Sequence, residues 1–135
     1  MKLPRLLASV LACIALVSCA QTAPPSAAKP KTQPESERLA GELRTLIGPA
    51  SCSADTQCRT VAVGAKACGG PAGYWAWSTE STDAQALNAL AERQAAAQRR
   101  EVASSGLRSN CMLTTDPGAA CVAGRCQLQA AASVR

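Results

Sequence analysis

Six cysteines beyond the N-terminal region constrain this chain more than any other feature. Three precede a long predicted helix and three follow it: Cys52, Cys58, Cys68, Cys111, Cys121 and Cys126. If all six pair within the chain, an odd number of disulfides must join the two clusters, because three cysteines cannot pair completely among themselves. At least one disulfide is therefore predicted to span the helix. The individual pairing stays open at this point.

The apolar residues alone would build only a small core. Hydrophobic residues make up 47% of the sequence, but 29 of its 135 residues are Ala and there is no Phe. A core of this kind rarely supplies more than a few kcal/mol, so covalent cross-links are expected. Closing the smallest loop between the clusters, from Cys68 to Cys111, would remove roughly 4 kcal/mol of unfolded-state entropy. That is comparable to the net stability of a small domain.

A metal site is the alternative use of these cysteines. The spacings C-x5-C from Cys52 to Cys58 and C-x4-C from Cys121 to Cys126 are close to those of zinc sites. The chain contains no His to complete a mixed site, and exported thiols tend to be oxidised. We therefore predict disulfides, with no metal and no other cofactor.

The N-terminus has the organisation of an export signal. Lys2 and Arg5 precede an apolar run over 6–17, which is too short to span a bilayer as a helix. The run ends in Leu16-Val17-Ser18-Cys19, which resembles the lipobox of bacterial lipoproteins. The resemblance implies cleavage before Cys19, acylation of Cys19 and a signal peptide over 1–18. The alternative is ordinary secretory cleavage after Ala20.

The lipobox resemblance also implies a location. Several acyl chains on one residue form a lasting membrane anchor, and Ala20 after the Cys implies the outer membrane in a Gram-negative host, facing the periplasm or the cell surface. Residues 19–34 are rich in Pro and Ala and contain no large apolar side chain. They are predicted to be an extended tether of roughly 40 Å, at about 3 Å per residue.

The remaining pattern predicts a small disulfide-rich α+β domain over 50–130, with a frayed tail over 131–135. A short antiparallel sheet of three to four strands would pack against one long helix, preceded by an additional amphipathic helix over 35–48. Thr32 and Glu35 form a potential capping box for that first helix. Its leucines share one face, which would lie on a membrane or partner, or pack on the domain as a lid.

Alternation and turn residues predict the strands. The first strand covers 58–63, a loop covers 64–73, and the second strand covers 74–78. A third strand is predicted over 107–113, with a turn at 115–118. A tight hairpin over 121–126 and an edge strand over 127–129 complete the set.

The long helix is predicted from Thr82 to about Ser104. Thr82 and Gln85 form a potential capping box, and Gly106 is a stop signal. Small and apolar side chains form one sector that also contains Gln94 and Gln98, whose amides would need backbone partners if buried. The other members of this sector are Ala84, Leu87, Leu90, Ala91, Ala97 and Val102.

Candidate binding residues lie where the aromatic residues meet the glycine-rich loop. Trp75 and Trp77 share a strand face and are predicted to anchor the core, although an exposed aromatic patch would suit a sugar or a peptide. Tyr74 with Gly69 and Gly70 forms the candidate surface site.

Catalysis is not predicted. Without His, the usual general base and the usual activator of a Ser or Cys nucleophile are both missing. The carboxylates of Asp55, Glu80 and Asp83 are the remaining candidates, but a domain of this size leaves little room for a sugar cleft.

A binding module is the predicted functional class, with another envelope protein or a peptide as partner and the membrane contacted through acyl chains. The net charge of +5 falls to +3 when the signal peptide is removed, and a charge of +3 is too small to indicate nucleic-acid binding.

Two alternatives to a binding module remain. Lys66 or Arg125 on a disulfide-braced loop suggests a protease inhibitor, and a purely structural envelope component is the third interpretation. The Cys-Gly-Gly-Pro segment and terminal C-x4-C hairpin are also similar to small cystine-rich lipoproteins of high-GC bacteria. This similarity implies no activity, and the oligomeric state is left open.

Overall fold

The computed structural model describes residues 32–106, 108 and 111–130. The predicted signal peptide, the lipobox-like segment with Cys19, most of the predicted tether and the predicted frayed tail over 131–135 lie outside the described residues. Within them the chain forms two helices and four strands in the order α1, β1, β2, α2, β3, β4. These elements belong to one compact unit. The predicted α+β class is confirmed.

Helix α1 covers Glu35–Ile47 and packs against α2. Leu39, Leu43 and Ile47 are buried along one face, which confirms the lid interpretation, because this apolar face is covered by the domain itself. The capping box with Thr32 is wrong: Pro34 occupies the N-cap and no side chain from the preceding residues caps the helix. The helix ends where the Gly48 N–H donates to the Arg44 carbonyl at 2.9 Å.

Strands β1 (Cys58–Val63) and β2 (Gly73–Ser78) form one antiparallel sheet. Val61 lies opposite Trp75 in the register, and Val61, Val63 and Trp77 on this face are buried in the core. Trp75 is half-buried against the same core, with the Arg44 guanidinium 4.5 Å from its ring centroid. The core interpretation is therefore confirmed for Trp77, whereas Trp75 packs against the core and is only half-buried.

Strands β3 (Ala119–Val122) and β4 (Arg125–Leu128) form a second antiparallel sheet through a two-residue turn. The predicted hairpin is confirmed, with Cys121 opposite Cys126. On its other edge, β4 is joined by the segment after α1: the Cys126 N–H donates to the Ala50 carbonyl and the Cys52 N–H to the Gly124 carbonyl.

The single sheet of three to four strands is wrong for the described part of the chain, because the strands form two separate two-stranded sheets. Residues 108 and 111–113, from the predicted third strand, are not in a strand. Cys111 is bonded to Cys68 in the β1–β2 loop, and Leu113 is 94% exposed, so this segment is held against a loop and adds no strand to a sheet edge. At the predicted turn over 115–118 the Gly118 N–H donates to Asp116 Oδ1 at 2.9 Å, but these residues do not form a turn closed by a backbone hydrogen bond.

Helix α2 covers Ala84–Ser105, one residue past the predicted end, and Gly106 follows it in the left-handed conformation. Its N-cap is Asp83, which accepts from the Ala86 N–H at 2.6 Å. The predicted capping box with Thr82 is wrong, because Thr82 is buried and its hydroxyl has no hydrogen-bond partner among the described residues. The predicted sector faces the core at Leu87, Ala91, Gln94 and Ala97, whereas Ala84 in the first turn is exposed.

Candidate functional site

The six cysteines form three disulfides, and all three join the two clusters: Cys52–Cys121, Cys58–Cys126 and Cys68–Cys111. This satisfies the predicted odd number of crossing bridges. The first two connect β3 and β4 to the start of β1 and to the segment before it, in addition to the backbone hydrogen bonds between that segment and the second hairpin. The third holds the tip of the β1–β2 loop.

Three of these sulfur atoms lie as close to one another as the ligands of a metal ion would. The Sγ atoms of Cys52, Cys58 and Cys126 lie within 4.8 Å of one another. Each is already bonded to another sulfur in the oxidised protein, so none of them is a thiolate that could coordinate a metal.

The β1–β2 loop over 64–73 forms one wall of a surface hollow, and α2 forms the other. The hollow has a volume of about 350 Å³. The predicted residues Gly69 and Gly70 line it, together with Lys66 and Pro71 from the loop. Helix α2 contributes Asn88, Ala91, Glu92, Ala95 and Arg99.

Two glutamines of α2 fix the base of this loop. The Gln94 side-chain oxygen accepts from the Gly64 N–H at 2.6 Å, and that of Gln98 accepts from the Ala65 N–H at 3.3 Å. Gln94 is buried. The helical pattern predicted that these amides would bond to the backbone, and this prediction is confirmed. The two hydrogen bonds attach the first residues of the loop to α2.

Only a glycine fits at the point where the loop leaves β1. Gly64 has φ +72°, and a Cβ there would lie 2.6 Å from Gln98 Oε1 and 2.7 Å from the Ala72 Cβ. Ala72 lies at the other end of the loop, and Gln98 belongs to α2. The close approach of loop and helix therefore depends on the missing side chain.

The tip of the loop is a short turn held by the Cys68–Cys111 disulfide. The Gly69 N–H donates to the Lys66 carbonyl and the Lys66 N–H to the Gly70 carbonyl. Gly69 and Gly70 both have positive φ and are exposed. No atom outside their immediate neighbours lies within 4 Å of the place where a Cβ would be, so the tip offers bare backbone to the solvent.

The structure does not bring Tyr74 into the hollow. Tyr74 lies opposite Ala62 in the sheet register, alternates with Trp75 and is half-buried. The predicted site is therefore divided: Gly69 and Gly70 line the hollow and Tyr74 is not among its lining residues.

Sequence reasoning did not assign Arg99, Glu92 and Asn88 to this site. They come from α2, about twenty to thirty residues from the loop in sequence, and only the packing of the loop on the helix places them there. The sequence did contain one indication that they lie together, because residues 88, 92, 95 and 99 recur at helical intervals and therefore share one face of α2.

Two of the three carboxylates considered for catalysis accept hydrogen bonds from the backbone of the domain. Asp55 Oδ1 accepts from the Cys121 N–H at 2.7 Å, and Asp83 caps α2. Glu80 is exposed in the turn before α2. Two of the three candidates therefore hold backbone donors, and none of the three lines the hollow between the loop and α2.

Comparison of the chain with protein-family models, with curated proteins and with solved structures found no match. In the part of the chain that the structure describes, no helix has both the length and the apolar content needed to cross a membrane.

Proposed function

We propose that this chain is a lipid-anchored protein of the bacterial cell envelope whose disulfide-braced domain binds another envelope protein or a peptide. The observation that carries the proposal is Leu16-Val17-Ser18-Cys19 at the end of an apolar export signal. Acylated Cys19 would hold the protein in the membrane, and Ala20 directs it to the outer membrane where the host has one. The cystine framework supports export, because disulfides persist in oxidising compartments.

The geometry of the loop supports a binding role. A rigid, cystine-held loop with an exposed glycine tip stands beside a hollow that contains the cationic residues Lys66 and Arg99 and the carboxylate of Glu92. Side chains of both charge signs beside an exposed loop suit a peptide segment, whose termini and side chains carry charges of both signs. The absence of His from the sequence argues against acid–base catalysis.

The protease-inhibitor alternative has less support from the geometry. Lys66 Nζ donates to the Met112 carbonyl at 2.6 Å, and insertion of this side chain into a protease pocket would break that hydrogen bond. Arg125 lies in β4 with its backbone between Val122 and Ser51, whereas an inhibitory loop needs an extended backbone free to pair with the protease. A structural envelope component would make no use of the hollow.

The test expresses the full chain and its Cys19→Ala variant in a bacterium supplied with an alkyne-labelled fatty acid. The proposal expects label on the native chain alone and its recovery in the membrane fraction. A cross-linking pull-down from the envelope should then retain a partner that is lost in a Glu92→Lys variant, which changes the hollow, and kept in a Glu80→Lys variant, which does not. Equal labelling of the native and Cys19→Ala chains would refute the anchor. Clean trypsin cleavage at Lys66 or Arg125 would end the inhibitor alternative.

A further inference from the structure

We infer that one side of the domain is a docking surface for the anionic headgroups of a lipid membrane. This surface, called the basic face here, consists of Lys66, Arg99 and Arg108 with the exposed side chains of Met112 and Leu113. The inference rests on the proposed function for its setting, because the anchor would bring this face to a membrane.

The helix pair shows where the chain enters the domain. The Ser36 N–H donates to Glu101 Oε1 at 3.0 Å, and Arg100 donates to Glu35 Oε2 at 3.0 Å. The first turn of α1 therefore lies beside the last turns of α2, and the chain that precedes α1 is joined to the domain at this end. In the sequence that chain carries two further cations, Lys29 and Lys31.

The cations of the basic face lie next to one another near the C-terminal end of α2, on the side of this helix that contacts the β1–β2 loop. Lys66 and Arg99 line one hollow beside Val102 and Gly106, and Lys66 and Arg108 line a neighbouring hollow that also includes Val102. Arg99 and Arg108 are exposed. Neither is in an ion pair within the described ranges.

The acidic groups near this end leave the basic face with an excess of positive charge. Glu35 pairs with Arg100, and Glu101 accepts from Ser36, both at the contact with α1. Glu37 and Glu101 line a separate hollow between α1 and α2. Glu92 is the one acidic residue lining the three hollows on the loop side, and it lies two helical turns before Arg99.

Apolar side chains project beside these cations. The Met112 carbonyl accepts from Lys66 Nζ, which holds this segment against the loop. Met112 is 67% exposed and Leu113 is 94% exposed. Cations with long apolar stems next to projecting apolar side chains suit the headgroup region, where charges meet phosphates and apolar groups reach the acyl boundary.

Because the proposed anchor would already hold the domain at the membrane, a weak interaction with the lipid surface would be enough to orient it. A short tether gives the domain an effective concentration in the millimolar range at the membrane. Each cation near an anionic surface changes partitioning by about fivefold, and the attraction falls with added salt. The basic face would then select one orientation of the tethered domain.

The test uses the non-acylated chain 19–135 carrying Cys19→Ser, which includes every residue that the structure describes. Sedimentation with vesicles of phosphatidylcholine, with and without phosphatidylglycerol, measures partitioning. We expect binding only to the anionic vesicles, weakened by 0.5 M salt. The double variant Arg99→Gln/Arg108→Gln should bind roughly 25-fold more weakly.

The matched control is Arg59→Gln/Arg125→Gln, which removes the same charge from exposed arginines away from the basic face and should change binding by less than threefold. Leu113→Ser should weaken binding more than Leu128→Ser does. Peptide mapping of the three disulfides verifies the fold of each variant. Equal effects of the two double variants, or equal binding to both kinds of vesicle, would overturn the inference.

Failure of this inference is distinct from failure of the proposed function. If the native chain is acylated at Cys19 but the chain 19–135 shows no preference for anionic vesicles, only the basic face is refuted. If the vesicle preference is found and Cys19 is not acylated, the surface is established and the anchor is refuted.

Discussion

The Glu101 carboxylate of α2 caps the first turn of α1 by accepting hydrogen bonds from both the backbone N–H and the hydroxyl of Ser36. The first N–H groups of a helix have no partner within the helix, and a negative charge there is favourable. Because Ser36 is buried, this tertiary cap replaces the local capping box that Thr32 and Glu35 would have formed.

This contact predicts a pH-dependent contribution to stability. The hydrogen bonds from Ser36 lower the pKa of the Glu101 carboxyl below its ordinary value of 4.5. A carboxyl with a lowered pKa in the folded state stabilises the fold above the unfolded value, and this stabilisation is lost as the pH falls through the folded value. Glu101→Gln should therefore cost about 1 kcal/mol at pH 7, since the group is partly solvated.

Urea unfolding at a series of pH values measures this effect. The difference between native protein and Glu101→Gln should shrink as the pH falls below the ordinary pKa of a glutamate carboxyl. Glu92→Gln, an exposed glutamate of the same helix, is the control and should stay within about 0.5 kcal/mol. A Glu101→Gln difference that is constant with pH would contradict the ionised cap.

Gln94 provides a second test, because its side chain satisfies a buried backbone donor. Gln94→Leu would leave the Gly64 N–H without its acceptor at 2.6 Å, at a cost of about 1–3 kcal/mol. Gln85→Leu on the exposed side of α2 changes the same atoms without this loss. Chemical denaturation of both variants should separate them by at least 1 kcal/mol, and equal stabilities would show that the loop is not fixed by Gln94.

Two glycine variants separate steric crowding from backbone strain. Gly64 and Gly69 both have positive φ, but only at Gly64 would a Cβ collide, with Gln98 and Ala72. Gly69→Ala should cost about 1 kcal/mol through strain alone, and Gly64→Ala about 2–4 kcal/mol through strain and displacement of these two neighbours. Thermal unfolding compares the two; a larger loss for Gly69→Ala would contradict the packing of loop on helix.

The disulfides should differ in what their removal costs. Replacing Cys68 and Cys111 by Ala opens an exposed bridge, whereas replacing Cys58 and Cys126 also removes two buried sulfurs from the core. The entropic contributions are similar, at about 4 kcal/mol each, because they grow only with the logarithm of loop length. The second double variant should therefore be less stable by roughly 1–3 kcal/mol, the cost of the packing defect.

Urea titration under oxidising conditions measures the difference between these two double variants. Equal midpoints would place Cys58 and Cys126 outside the core. A native protein in which Cys52 is bonded to Cys58 would contradict the crossing arrangement altogether.

The local pattern was sufficient for elements whose stabilising contacts lie close in sequence. Alternation placed β1 at the observed residues, and the short spacing of Cys121 and Cys126 placed the second hairpin. The burial of Gln94 also followed from the helical period, since a polar side chain in an apolar sector must find a backbone partner.

The errors occurred where distant residues decide the structure. Glu101 caps a helix more than sixty residues away, which no local motif encodes. The segment that contains Met112 and Leu113 has the composition of a strand, but its bond through Cys111 to Cys68 keeps it on a loop. The odd number of cysteines in each cluster required at least one disulfide between the clusters, but only the fold shows that all three disulfides join them. The fold is also needed to show that Lys66, Arg99 and Arg108 share one face.

Mass spectrometry of the intact protein, purified from membranes without reductant, tests the whole account most directly. The account predicts a chain that begins at Cys19, carries acyl groups on that residue and gains no mass from a thiol-alkylating reagent, because the three disulfides leave no free thiol in it. A chain without acyl groups whose remaining cysteines are alkylated would contradict both the anchor and the braced domain.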